Sequence, residues 1–225
     1  MFEVVDWGLR DYGPALSAMR ALRRARRKGT IPDTLILLEH PAVITVGVQG
    51  DDGGAEQAGV PVFRVERGGK STYHAPGQLV GYPLVDLARR GNDVRRFVAD
   101  LERLLVTVLR GYGVPAGTVP SRRGVWVGGE RKIASIGIAV EEWVTFHGFA
   151  LNVDLDLAPF ERFRPCGMEG VVMTSMAREL GVPVAVADVK RRVAQLWLAD
   201  FLSPSPYASF PAAVPTPAVA APSNP

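Results

Sequence analysis

A chain of 225 residues suits one fairly large domain or two small ones. With 47% hydrophobic and 22% charged residues it is an ordinary globular sequence; no apolar run approaches the roughly 20 residues that span a bilayer, and no basic-then-apolar leader is visible, so a cytoplasmic protein off the membrane is expected. The net charge of +3 comes without zinc-finger spacing or basic runs interleaved with aromatics, which argues against nucleic-acid binding, and the single cysteine, Cys166, excludes an internal disulfide and a multi-cysteine metal site.

In chain order, Met1 to Asp6 reads as a short strand. Asp11 caps a helix to about Lys28, with Tyr12, Ala15, Leu16, Met19 and Leu22 at helical spacing. Its other face, Arg20 to Lys28, is basic; it is either simply solvated or a dock for an acidic partner. Thr34 to Glu39 is an apolar run of strand length, buried on both faces, and His40-Pro41 breaks it. Val43 to Val48 predicts a second strand, in a hairpin with the first. Gly50 to Gly59 is a surface loop. Val62 to Glu66 leads into a glycine-rich stretch, and Gln78 to Leu87 is the strand that leaves it. Asn92 or Asp93 caps the clearest helix, whose stripe Val94, Phe97, Val98, Leu101, Leu104, Leu105 and Val108 ends before Gly111. Val125 to Val127 and Lys132 to Val140 form a hairpin about Gly128-Gly129-Glu130, and Trp143 to Asn152 is a further strand. Asp154 to Pro165 is irregular. Thr174 or Ser175 caps a short helix ending at Leu180-Gly181, and Asp188 caps a last one to about Leu202. Residues 203–225 are Pro- and Ala-rich without charge and predict a disordered tail. Residues 1–202 therefore read as one α+β domain, its sheet largely antiparallel, with helices packed on one face.

Three stretches hold the candidate chemistry. The run from Arg67 through Gly68, Gly69, Lys70, Ser71, Thr72, Tyr73 and His74 to Pro83 brings glycines, cations and a histidine around one turn. The bland alternative is a plain connection between two strands, with His74 as a capping group. Cys166, in Arg164-Pro165-Cys166-Gly167-Met168, ends an irregular stretch beside a glycine and an arginine, an open electropositive setting that suits a reactive thiolate. Most lone cysteines are small buried hydrophobes. Lys132 opens the run Ile133 to Gly137, where a strand enters the core, and a partly buried lysine there suits a proton shuttle. Alternation puts Lys132, Ala134 and Ile136 on one side of that strand and Ile133, Ser135 and Gly137 on the other. His40 and His147 have bland readings as hydrogen-bonded structural groups, and Asp154 with Asp156 reads as a solvated turn, so no metal site is expected.

These motifs together resemble an octanoyltransferase of the LipB type, with the biotin/lipoate-protein-ligase-like fold. The matching stretches are Arg-Gly-Gly-x-x-Thr-Tyr-His-x-Pro-Gly-Gln-Leu-Val-Gly-Tyr-Pro from Arg67, Gly-Val-Trp-Val from Gly124, Lys-Ile-Ala-Ser-Ile-Gly from Lys132, His-Gly-Phe-Ala-Leu-Asn from His147 and Pro-Cys-Gly-Met from Pro165. The tail matches nothing in the family, and Ala75 stands where the family usually has glycine. The resemblance implies that Cys166 takes an octanoyl group from acyl carrier protein as a thioester, that Lys132 shuttles the proton, and that a lysine of an apo lipoyl domain receives the acyl group. The acceptors would be 2-oxoacid dehydrogenase E2 subunits and the glycine cleavage H protein. Substrate contacts fall on Arg67 to His74, on Ser135, Ile136 and Gly137, and on Gly148, Phe149 and Ala150, whose apolar members would line an acyl channel. Backbone N–H groups near Gly68, Gly69 or Gly148 would stabilise an oxyanion. No metal, ATP or other cofactor is implied, and a monomer is expected.

Overall fold

A strand whose central run is apolar on both faces must be covered on both sides, and the chain is built around two of them. The computed structural model describes residues 2–50, 59–162 and 171–199. Strand β1 (Phe2–Leu9) is followed by helix α1 (Tyr12–Arg27) and by β2 (Asp33–Glu39), which pairs parallel to β1. β3 (Val43–Val46), β4 (Val62–Arg64) and β5 (Ser71–His74) form a separate small sheet, with β3 at its centre. β6 (Gln78–Leu84) returns to the large sheet, and a short 3-10 helix, Leu87–Arg90, leads to α2 (Val94–Gly111). β7 (Ala116–Val119), β8 (Arg122–Val127), β9 (Arg131–Glu141) and β10 (Val144–Asn152) then run as an antiparallel meander. α3 (Pro159–Arg162), β11 (Val172–Met173), α4 (Met176–Leu180) and α5 (Val186–Ala199) complete the described residues. The large sheet runs β1-β2-β6-β10-β9-β8-β7, and β11 adds in parallel to β9.

The fold is the expected α+β domain with a mixed sheet, but helices cover both faces rather than one. Leu35, Leu37 and Leu79 pack with α2 and α5, whereas Ile36, Leu38, Val80, Tyr82 and Leu84 pack under α1. The doubly apolar strands β2 and β6 require this arrangement. The expected hairpin of Val43–Val48 with the strand before it does not form. After the His40-Pro41 break the chain leaves the large sheet, and β3 pairs with β4 and β5 instead. Asp93 caps α2 by accepting from the Arg96 N–H, and Ser175 caps α4. Gly111 is the last residue of α2, and the left-handed turn falls on Gly113 at φ +86°. The short edge strand β7 and the two-residue β11 had no sequence signal. The Cys166 motif, most of the Gly50–Gly59 loop and the 203–225 tail lie outside the described residues.

The basic face of α1 is largely committed within the chain. Arg20 makes a bidentate pair with Glu66, at 2.8 and 2.9 Å. Arg23 is buried and reaches Glu141 at 3.0 Å. Arg26, 4% exposed, donates to the buried Asp33 at 2.6 Å, and Asp33 also accepts from the Asp86 N–H. Removing one partner of a buried pair strands the other charge, which costs about 3–5 kcal/mol. Arg26→Met is expected to lose that much in urea unfolding, whereas Arg24→Met, on the exposed face, should stay within about 0.5 kcal/mol. Equal effects of the two would refute the structural role of Arg26.

Candidate active site

A cavity of about 300 Å³ opens on the α1 side of the large sheet. The stretch Arg67 to Thr72 with His74 forms one wall, and β9 and β10 form the other at Ser135 to Gly137 and Gly148 to Ala150. Glycine at two positions makes the walls meet. Gly68 donates its N–H to Ile138 O at 2.9 Å, and a Cβ on Gly137 would stand 2.8 Å from Gly68 O. A Cβ on Gly47 would stand 2.4 Å from Gly69 O on the far side. The Gly68 N–H is therefore already paired and does not serve the oxyanion role read for it. Arg67 is buried and donates from Nη2 to Thr45 O at 2.7 Å and to Thr45 Oγ1 at 2.8 Å, so its side chain braces the loop against β3.

Lys132 is 4% exposed and lines the same cavity, but it arrives there through a break in alternation. Val125 pairs with Ala134 and Trp126 pairs with Lys132, so Ile133 is an extra residue in β9. This β-bulge turns the strand over at that point. Ala134, Ile136 and Ile138 pack under α2 and α5 with Val125 and Val127. Lys132 instead shares the opposite side with Trp126, its Nζ 5.3 Å from the ring centroid. Simple alternation grouped Lys132 with Ala134 and Ile136; the bulge groups it with Ser135 and Gly137.

Most of the sequence-derived contact residues border the cavity. Tyr73 does not: it points to the other side of β5 and meets Phe160 edge-on at 5.4 Å. The Ile136 and Phe149 side chains pack into the α2–α5 core, and the Phe149 ring leaves no room for a Cβ on Gly81. The apolar wall comes instead from Tyr12, Val80, Tyr82 and Ala150, beneath α1. In the sequence Tyr12 shows only a helix-stripe position and Tyr82 only a place in the apolar strand after the glycine-rich run, so neither signals a cavity wall. Ser121, in the turn before β8, and Arg122 and Arg123, at the start of β8, border the cavity and had no signal, because their place depends on how β7 and β8 pair. Ala75 causes no strain. The positive φ of the Ala75-Pro76-Gly77-Gln78 turn falls on Gly77, at +88°, as a Pro-Gly type II turn requires.

All three histidines of the chain lie at or beside this cavity and are buried. His40 sits between Arg10 O at 2.6 Å and the Tyr82 hydroxyl at 2.7 Å. His147 lines the cavity with φ at +55°, a strained conformation for a side chain of this size. Its Nε2 lies 3.5 Å from Glu66. His74 faces Gln78 Oε1 at 2.7 Å. The Gln78 amide nitrogen is spent on Tyr73 O and Asn152 Oδ1, so His74 Nδ1 is the donor in that bond. Burial pushes all three imidazoles down, His74 to about 3 with help from His40, and His147 against the pull of Glu66. The Glu66 carboxylate is held well below the usual range by the His147 ring and by Arg20. Near neutral pH the cavity thus presents neutral rings. Among the described residues no group of three or more His, Asp or Glu side chains could hold a metal ion, and no helix is long and apolar enough to cross a membrane.

The model of the lipoyl protein ligase A/B catalytic domain matches residues 11–197, and the chain is a member of that family. Its relatives include a protein named octanoyltransferase from Geotalea uraniireducens, 48% identical over 84% of this chain and 88% of that one. A second, from Azotobacter vinelandii, is 48% identical over 84% and 87%. The same fold occurs in Ta0514, a putative lipoate protein ligase from T. acidophilum with bound lipoic acid (TM-score 0.67, 16% identity, 88% of this chain and 84% of that one). It also occurs in P. falciparum LipL1 in complex with lipoate (TM-score 0.68, 14% identity, 89% and 62%).

The neutral histidines set an acid limit. An unfolded histidine binds its proton near pH 6.5 and folded His74 only near 3, so between those values protonation favours the unfolded chain. The contribution is fully present above pH 6.5 and is lost as pH falls, at up to about 1.4 kcal/mol per pH unit. His74→Gln is expected to flatten the slope of urea-unfolding stability against pH in that window. An unchanged slope would show that the ring is not held neutral.

Proposed function

We propose that the chain is an octanoyltransferase that moves an octanoyl group from an acyl carrier protein to the target lysine of an apo lipoyl domain through a thioester on Cys166. The observation that supports this most directly is Lys132, buried and turned by the β9 bulge into the cavity walled by the glycine-rich stretch. The names of the relatives at 48% identity give the acyl group. In the first half-reaction the Cys166 thiolate adds to the thioester carbonyl carbon, the carbon–sulfur bond to the carrier's pantetheine breaks, and Lys132 passes the cysteine's proton to the departing thiol. In the second, the acceptor amine adds to the same carbon, the bond to Cys166 breaks, and the amine's proton passes through Lys132 back to that sulfur. Exchange between thioesters is nearly isoenergetic and amide formation runs downhill, so the sequence needs no ATP. Neutral rings and the apolar wall of Tyr12, Val80, Tyr82 and Ala150 suit an aliphatic chain.

The acidic carrier docks at the cavity mouth rather than on α1. Lys70 and Arg123 are exposed there, whereas Arg20, Arg23 and Arg26 are paired within the chain. A second reading is an ATP-dependent lipoate ligase, because the fold neighbours include lipoate–protein ligase A bound with ATP. Adenylation needs no cysteine nucleophile, and Cys166 in its Pro-Cys-Gly setting favours transfer.

Intact-protein mass spectrometry after mixing with octanoyl carrier protein separates the two. A gain of one octanoyl group without ATP, absent in Cys166→Ala, is the expected result. Transfer that requires ATP, or full transfer by Cys166→Ala, would overturn the proposal. Arg123→Glu is expected to raise KM for the carrier-bound donor several-fold while leaving transfer from octanoyl-pantetheine unchanged.

A further inference from the structure

The mechanism above leaves a line of buried polar groups unused. Gln78 is 1% exposed, Asn152 1% and Thr174 0%. Gln78 Nε2 donates to Asn152 Oδ1 at 2.9 Å. Asn152 Nδ2 donates to Thr174 O at 2.9 Å. The Thr174 N–H donates to Lys132 O at 2.9 Å. The line starts at His74, on the cavity wall, through the 2.7 Å bond to Gln78 Oε1. It is braced at its far end, where Thr174 Oγ1 donates to Glu179 at 2.6 Å and Arg131 grips the same carboxylate at 2.8 and 3.1 Å.

We infer that Gln78, Asn152 and Thr174 form a polar spine that positions Lys132, with Asn152 as the residue on which it turns. β11 is only two residues long, with Met173 paired to Lys132. A strand that short has little register of its own. The bond from Asn152 to Thr174 O fixes where β11 lies, and the Thr174 N–H then fixes the main chain of Lys132 next to the bulge. Cys166 lies seven residues upstream of Met173 in the sequence, so β11 is also the first described strand after the nucleophile. Asn152 therefore ties the acyl-side wall to the lysine. A hydrophobic residue would fill its place in β10 but would leave one Gln78 amide hydrogen and Thr174 O without their partners in a dry interior. The spine rests on the assignment of Cys166 and Lys132 made above.

The test uses the fact that Cys166 is the chain's only cysteine, so the rate of iodoacetamide alkylation against pH reports that thiol alone. The proteins compared are wild type, Lys132→Met, Asn152→Ala and Leu105→Ala, the last a cavity in the α2 core that belongs to no link of the spine. Asn152→Ser replaces Asn152→Ala if the latter does not accumulate folded. Loss of a positioned cation beside the thiol is expected to raise the alkylation midpoint by about one pH unit in both Lys132→Met and Asn152→Ala. In Asn152→Ala, kcat for octanoyl transfer is expected to fall between about 10- and 100-fold with little change in KM. Leu105→Ala should lower the melting temperature without moving the midpoint. If Lys132→Met shifts the midpoint and Asn152→Ala behaves like Leu105→Ala, the spine is refuted and the dyad stands. If Lys132→Met leaves the midpoint unmoved, the dyad itself fails, and with it the reason for the spine.

Discussion

The site depends on one extra residue in one strand. At Ile133, β9 carries a residue that β8 does not match, and the strand changes sides there. Upstream of that point the cavity face holds Lys132; downstream it holds Ser135 and Gly137. Without the bulge, strict alternation would send the Lys132 side chain under α2 and α5, among Val125, Val127 and Ile138, where an ammonium would lose its hydration with nothing but aliphatic groups around it. A bulge that re-aims one side chain beside a site is a common device of sheets. Here it also explains why a lysine can open so apolar a run. The loop opposite can come within hydrogen-bond distance of Ile138 because Gly137 lacks a side chain.

Most of the elements, though not the short β7 and β11, and the family were readable from the sequence, while the geometry between elements was not. The helix stripe from Val94 to Val108, the Gly128-Gly129 hairpin and the glycine stop at Gly181 rest on local patterns, and local patterns survive folding. The apolar run in β2 even announced burial on both faces, although the consequence, helices on both sides of the sheet, was not drawn from it. What stayed hidden depends on pairing. A bulge is a mismatch between two strands, so neither strand shows it alone. Tyr73 and His74 are neighbours in one motif, yet they face different cores because β5 is a strand. The commitment of Arg20, Arg23 and Arg26 could not be seen before Glu66, Glu141 and Asp33 were placed beside them.

Electrostatics divide the molecule into an inside that is paired or neutral and a mouth that is not. Buried ion pairs such as Arg26 with Asp33 spend their charge on each other. The three imidazoles, pressed down by burial, present dipoles rather than charges to the cavity. Lys70 and Arg123 are exposed at the edge. Inside, the neutral rings and the apolar wall of Tyr12, Val80, Tyr82 and Ala150 leave the buried Lys132 and Arg67 as the cationic side chains set deepest in the lining.

The bond pattern around Asn152 also bears on how the protein folds. It joins strands that begin at residues 78, 131, 144 and 172, and the loop wall adds residues 67 to 74. The β9–β10 hairpin holds one cavity wall locally, but the bonds from Asn152 to Gln78 and to Thr174 each await closure of a longer loop of chain. The helices and the β8–β9–β10 meander can form early from near neighbours, whereas the wall at Arg67 to His74 and the parallel β11 contact close long loops of chain and so belong to a later stage of folding.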